Sequence, residues 1–140
     1  MTIETLAPRK VVSLPEPLQP GVLYISERFN LAGHLCACGC GREVITPLSD
    51  AQWHLKWHGE RVSISPSIGN SNFPCRSHYF IVESRIVWSN PMTDHMIAYA
   101  RAADEAAIAG QVERENRRRG WTVRLRYALG KIWKWLTGKM

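Results

Sequence analysis

The stretch HLCACGCG, from His34 to Gly41, holds three of the four cysteines of this 140-residue chain. A tetrahedral zinc site needs four ligands, with Zn–S bonds of about 2.3 Å. In a straight strand, residues two apart are separated by about 6.6 Å, which is too far for neighbouring sulfur ligands. We therefore expect the chain to curl here. Gly39 and Gly41 permit the curl, because glycine adopts positive φ without steric penalty.

The segment CRSH, from Cys75 to His78, adds the fourth cysteine and a histidine. Clustered thiols in a reducing compartment favour a metal site over a disulfide, although buried free thiols also occur in cores. The sequence predicts a zinc ion, with His78 or His34 as an alternative to one cysteine. The predicted ligands are Cys36, Cys38, Cys40 and Cys75.

If the cysteines bind the metal, His34 and His78 remain beside it. Such histidines either orient the metal ligands or act as general bases, since the ordinary pKa of histidine is near 6.5. Ser67 follows a proline and precedes Ile68-Gly69, where backbone amides can approach an oxyanion. We predict Ser67 as a nucleophile, with His78 or His34 as its base. Ser77 is the poorer nucleophile, because adjacent residues of a strand face opposite ways.

A zinc-dependent reaction is the second catalytic alternative. It would need three protein ligands, a zinc-bound water and a carboxylate base such as Glu43. Thiolate-rich zinc sites are more often structural, which favours the serine-type reaction.

The organisation of the chain predicts an α+β fold, in which a small antiparallel β-hairpin domain is held by the zinc site and followed by C-terminal helices. We expect an extended arm or edge strand over residues 1–20, a zinc-binding β domain over 21–90 and a helical region over 91–140. Strand composition at 21–26 is followed by two hairpins, with turns at 58–61 and 83–85. Between the hairpins, Pro66 to Pro74 is rich in turn residues and predicts a loop.

The helical region carries the excess positive charge of the chain. The net charge is +6, but residues 111–140 hold nine Lys/Arg against two Glu, so the first 110 residues are close to neutral. Gly120 predicts a helix stop, and residues 121–140 have the spacing of a basic amphipathic helix. This helix favours packing on the domain or a protein partner; a membrane surface is less favoured, and nucleic acid is disfavoured.

The length of the chain, its apolar runs and its first residues limit the class of protein to which it can belong. A chain of this size can bury one core, and no run approaches the roughly 18 to 20 apolar residues that cross a bilayer. The first residues do not have the pattern of a signal peptide. These features predict a cytoplasmic protein.

Several motifs together resemble a family of small bacterial proteins of uncharacterised function, which carry Cys-x-Cys-x-Cys and Cys-Arg-Ser-His motifs and are encoded beside ubiquitin-like conjugation genes. The resemblance covers roughly Gly21 to Trp88. It implies a zinc-binding partner of a ubiquitin-like protein and its conjugation enzymes, either a peptidase that processes that protein or its conjugates, or a non-catalytic adaptor. The motifs that carry it are HLCACGCG, TPLS (46–49), the strand at Trp53, SPSIGN (65–70) and CRSHYFI (75–81).

Overall fold

The computed structural model describes residues 1–137, without the side chains of residues 122–128 and 130–137. Its elements confirm the predicted α+β class, with two small sheets and one helix. They are β1 (Ala7–Lys10), β2 (Val22–Ser26), β3 (Leu31–Leu35), β4 (Glu43–Pro47), β5 (His54–His58), β6 (Arg61–Gly69), β7 (His78–Val82), β8 (Arg85–Trp88) and α1 (Asp94–Thr137).

The strands form two four-stranded sheets in chain order, β1-β2-β3-β4 and β5-β6-β7-β8. All neighbouring strands are antiparallel except β1, which pairs in parallel with β2. The cysteine-rich stretch leaves the end of β3 and turns back into β4, so a hairpin carries it. Neither β3 nor β4 was expected from periodicity, because Gly33 and the neighbouring cysteines give the region no apolar alternation.

One apolar cluster joins the two sheets. From the first sheet it takes Leu23 and Ile25, and from the second Ile64, Ile68 and Tyr79, all of them buried. The buried residues of β6 and β7 alternate with outward ones, as expected for strands with one face on a core. The outward face of β6 and β7 is therefore available for polar side chains.

The first residues of the chain connect both sheets. β1 is the edge strand of the first sheet, and Leu6 is fully buried in the common core. The backbone amide of Leu6 donates to Ser84 O, and that of Ile86 donates to Glu4 O, both at 2.8 Å, so this segment also borders the second hairpin. The predicted arm at 1–20 thus contains a strand that contributes to the core.

The two predicted hairpins are confirmed as β5-β6 and β7-β8. The loop predicted from Pro66 is wrong over its first four residues, because β6 continues to Gly69. The pairing with β7 changes register between Ile64 and Ile68, where four steps along β6 oppose two along β7. A bulge of this kind accommodates a proline, which has no N–H for the ladder, so the turn-rich composition here did not end the strand.

The helical region is one helix, and the stop predicted at Gly120 is wrong. Thr93 caps its start, since Thr93 Oγ1 accepts a hydrogen bond from the Met96 amide at 3.3 Å. A glycine inside a helix costs only about 1 kcal/mol relative to alanine, which flanking helix formers offset. The predicted amphipathic faces beyond Gly120 lie largely outside the described side chains; Trp121 and Leu129 are exposed. Within the part of the chain that is described, no helix is both long and apolar enough to span a bilayer.

Candidate active site and metal centre

The four cysteines converge in the structure. Their sulfur atoms all lie within 4.8 Å of one another. Cys36 Sγ is 3.4 Å from Cys38 Sγ and 3.9 Å from Cys75 Sγ, and Cys40 Sγ is 3.9 Å from Cys75 Sγ. A tetrahedron with metal–sulfur bonds of about 2.3 Å has sulfur–sulfur edges of about 3.8 Å. The four thiols therefore have the donor type and spacing that a tetrahedral metal ion requires.

The expected curl of the cysteine loop is present. Gly39 and Gly41 have φ angles of 82° and 76°, which lie in the left-handed region that favours glycine. At Gly39 a side chain would also overlap the backbone carbonyl of Met1, which packs against the loop. The loop thus needs a glycine at this position both for its turn and for close packing.

Ser77 and Asn70 lie directly against the cysteines. Ser77 Oγ is 3.1 Å from Cys36 Sγ and 3.6 Å from Cys75 Sγ, and it accepts a hydrogen bond from Asn70 Nδ2 at 2.9 Å. Burial raises the pKa of Cys36. At Cys75, burial acts to raise the pKa, but hydrogen bonds with Ser77, Cys38 and Cys40 outweigh it and lower the pKa to about 6. A lowered pKa favours the thiolate, the form that binds a metal.

His34 belongs to a buried hydrogen-bond network that lies next to the cysteines. Its Nε2 lies 2.9 Å from Tyr79 Oη, which in turn receives a hydrogen bond from Asn70 Nδ2 at 3.5 Å. Burial lowers the pKa of His34 to about 4, so the ring is neutral near pH 7. Its Nδ1 is buried and has no hydrogen-bond partner among the described residues. His34 is outside the cluster of potential metal ligands.

His78 also points away from the cysteines and instead meets Ser67. His78 Nε2 lies 2.9 Å from Ser67 Oγ, and His78 Nδ1 lies 2.9 Å from the backbone carbonyl of Asn90. A carbonyl oxygen only accepts hydrogen bonds, so Nδ1 carries the proton. In the neutral ring Nε2 is then the acceptor for the Ser67 hydroxyl. This is the arrangement of a serine nucleophile with an oriented histidine base.

The pairing of β6 with β7 produces this contact. Gly69 lies opposite His78, and Ser67 is two residues earlier on β6, so Ser67 and His78 are diagonal neighbours on one face. Ile68 and Tyr79 between them point into the core. The bulge before Ile68 sets which residues of β6 share the outward face with His78.

The structure thus brings Ser67 and His78 together and leaves His34 elsewhere. Ser77, which directly precedes β7, contacts the cysteines rather than the His78 ring. Glu43, the base in the zinc-dependent alternative, is exposed at the start of β4. Sequence reasoning missed Asn70 and Asn90. Asn70 carried only a turn signal, and Asn90 contributes a backbone atom, which no side-chain pattern can reveal.

Comparison with known proteins gives one family. The model of the family described as "BubE: Bacterial ubiquitination-like system serine protease" matches residues 10–89, more than half of the chain. The matched region contains all four cysteines, Ser67 and His78, and it ends before α1. Neither the curated proteins nor the solved structures include a significant match.

Proposed function

The chain belongs to the BubE family, a serine protease family of bacterial ubiquitination-like systems, and we propose that it is a peptidase that cleaves the ubiquitin-like protein of such a system from its precursor or its conjugates. The observation that carries the proposal is the 2.9 Å contact of Ser67 Oγ with His78 Nε2. An Oγ–Nε2 separation in hydrogen-bond range is what proton transfer from nucleophile to base needs.

The proposed reaction proceeds in two stages. Ser67 Oγ attacks the scissile carbonyl while His78 Nε2 takes the hydroxyl proton, forming a tetrahedral intermediate. His78 then gives that proton to the leaving amine as the C–N bond breaks. Water, activated by the same ring, hydrolyses the acyl-enzyme and restores Ser67.

In the proposed site, the backbone carbonyl of Asn90 has the role that a carboxylate has in many serine proteases. Its carbonyl accepts from His78 Nδ1, which holds the ring in the tautomer that leaves Nε2 free. A carbonyl dipole stabilises the positive imidazolium less than a full negative charge does. We assign the base role to His78 rather than His34, since the Nε2 of His34 is already paired with Tyr79.

The proposed metal is zinc, bound by Cys36, Cys38, Cys40 and Cys75. All four donors are sulfur, the ligand type of closed structural zinc sites. Together they would occupy all four coordination positions of a tetrahedral ion and leave none for water. Zinc would connect the loop between β3 and β4 with the segment that leads into β7. In this role it fixes the backbone before His78 and takes no part in the reaction.

The test uses the full-length protein, its ubiquitin-like precursor and a fluorophosphonate probe that labels reactive serines. Ser67→Ala should abolish labelling, and both Ser67→Ala and His78→Gln should lower cleavage at least about 1,000-fold. Ser65→Ala and His54→Gln are matched controls, because both side chains are exposed on the same sheet. Undiminished cleavage by Ser67→Ala would refute the proposal.

A non-catalytic adaptor is the second candidate. It is favoured by exposed apolar residues on the outer face of β7 and β8, namely Phe80, Val82 and Val87. Such a surface can bind a protein partner without chemistry. In that case metal-loaded wild type would bind the ubiquitin-like protein as tightly as Ser67→Ala does, and neither would cleave it.

A further inference from the structure

A cavity of about 200 Å³ opens beside Ser67. Ser67 and Gly69 of β6 line it together with Trp53, which precedes β5. Met92, Ile97 and Ala100 line it from the segment before α1 and from the first turns of the helix. The cavity therefore lies between the sheet that carries the nucleophile and the beginning of α1.

The lining is mostly apolar. The indole N–H of Trp53 donates to the backbone carbonyl of Ser67 at 3.4 Å, so the polar atom of this ring already has a partner. Two charged residues, Arg101 and Asp104, also border the cavity. The guanidinium of Arg101 is bonded to Ser71 Oγ and Asn72 Oδ1, which directs it toward the neighbouring loop.

Gly69 lets the segment before α1 approach β6 closely. A Cβ at this position would lie 3.0 Å from Met92 Sδ and 4.0 Å from Cδ2 of His78. A side chain here would therefore press on Met92, which lines the cavity. Glycine at this position lets Met92 pack closely on β6 beside Ser67.

We propose that this cavity binds an apolar side chain, of the size of leucine or methionine, from a residue that adjoins the scissile bond. The inference rests on the proposed function and deepens it, since it names the class of peptide bond that is cleaved. The position of the cavity indicates what binds in it. Because Ser67 itself lines the cavity, a peptide held for attack places a side chain next to the scissile bond there. Binding pockets of this kind discriminate by about 10-fold or more for a change of one or two carbon atoms.

The family match ends at residue 89, and Met92, Ile97 and Ala100 lie beyond it. The serine and histidine thus come from the matched region, whereas much of the cavity wall comes from the helix that follows. The proposed selectivity accordingly depends in part on Met92 and the first turns of α1, which lie outside the region that carries the proposed nucleophile and base.

The experiment uses the full-length protein and ubiquitin-like precursors in which each residue flanking the scissile bond is replaced in turn by Leu, Ala, Asp or Lys. At one of the two positions, kcat/KM for Leu should exceed that for Asp and Lys by about 10-fold or more. Ile97→Trp fills the cavity and should remove the advantage of Leu over Ala. Ile108→Trp is the matched control, because Ile108 is exposed on the same helix and does not line the cavity.

Ala100→Leu is a second filling variant in case Ile97→Trp disturbs folding, and circular dichroism checks that both variants keep the wild-type fold. Fluorophosphonate labelling of Ser67 should stay at the wild-type level in the control Ile108→Trp. Equal rates for all four residues at both positions, or an unchanged ranking in both filling variants, would overturn the inference. A different result would refute the proposed function: the wild type shows no labelling at Ser67, and the Ser67→Ala variant still cleaves the precursor. A wild type that cleaves no precursor overturns both.

Discussion

At the scale of single residues, two histidines of similar sequence context have opposite environments. His34 is fully buried on β3 and paired with a tyrosine, whereas His78 lies on the outward face of β7 against Ser67. Burial disfavours the charged ring of His34 and lowers its pKa, so that residue is suited to a fixed neutral contact. The proposed general base, His78, is thus the histidine on the outward face of the sheet.

Tyr79→Phe tests the buried network. The change removes the hydroxyl that His34 Nε2 contacts and leaves a buried polar atom without a partner, which should lower the free energy of unfolding by about 1–3 kcal/mol. Urea unfolding of the metal-loaded protein measures it. Tyr99→Phe serves as the control, because Tyr99 is exposed on α1 and should change stability little. Equal midpoints for the two variants would show that the hydroxyl contributes nothing.

At the scale of elements, β6 is the strand on which the candidate site depends. Its bulge offsets the pairing between Ile64 and Ile68, and the outward position two residues before Gly69 is thereby Ser67. Bulges commonly re-aim side chains beside active sites. In the proposed site, this register places Ser67 on the same face as His78.

Gly120→Ala tests the continuity of α1. Within a helix, alanine replaces glycine favourably by up to about 1 kcal/mol, and nothing lies within 4 Å of a Cβ at this position. We expect slower hydrogen exchange at the amides around residue 120 and a small gain in helical circular dichroism. Had the helix ended here with a left-handed glycine, alanine would be strained and helix content would fall instead.

At the scale of the whole molecule, the cysteine cluster connects segments far apart in sequence. Cys36, Cys38 and Cys40 belong to the hairpin of the first sheet, and Cys75 precedes β7 of the second. A metal bound there would join the two sheets beside the common core, to which Cys36 belongs. The proposed peptidase site lies on the second sheet, and its histidine, His78, is three residues after Cys75 along the chain.

Removal of the metal should therefore reduce both stability and Ser67 reactivity. A strong chelator under reducing conditions is expected to lower the unfolding temperature and to weaken fluorophosphonate labelling, and added Zn²⁺ should restore both. The physical reason is that removal of the ion breaks the metal–sulfur bonds that would hold the cysteine loop in place. If unfolding temperature and labelling both survive complete chelation, the metal has no structural role.

The sequence by itself determined the features that depend on near neighbours. The spacing of the cysteines and the two glycines predicted the curl and the cluster. Alternation predicted the first hairpin, strand composition around a turn predicted the second, and residue type made Ser67 and His78 candidates. Such signals are local, since turns, alternation and helix propensity act over a few residues. They gave wrong predictions at two places, namely a loop that begins directly after Ser65 and a helix end at Gly120. At both, other interactions outweighed the local preference of the residues.

Only the tertiary structure decided which distant residues meet. The register of β6 against β7 selected His78 over His34, the backbone of Asn90 oriented that ring, and the first turns of α1 completed the cavity beside Ser67. The parallel pairing of β1 with β2 and the burial of Leu6 are of the same kind. These outcomes follow from packing two sheets around one core, which fixes contacts between segments that no local pattern relates.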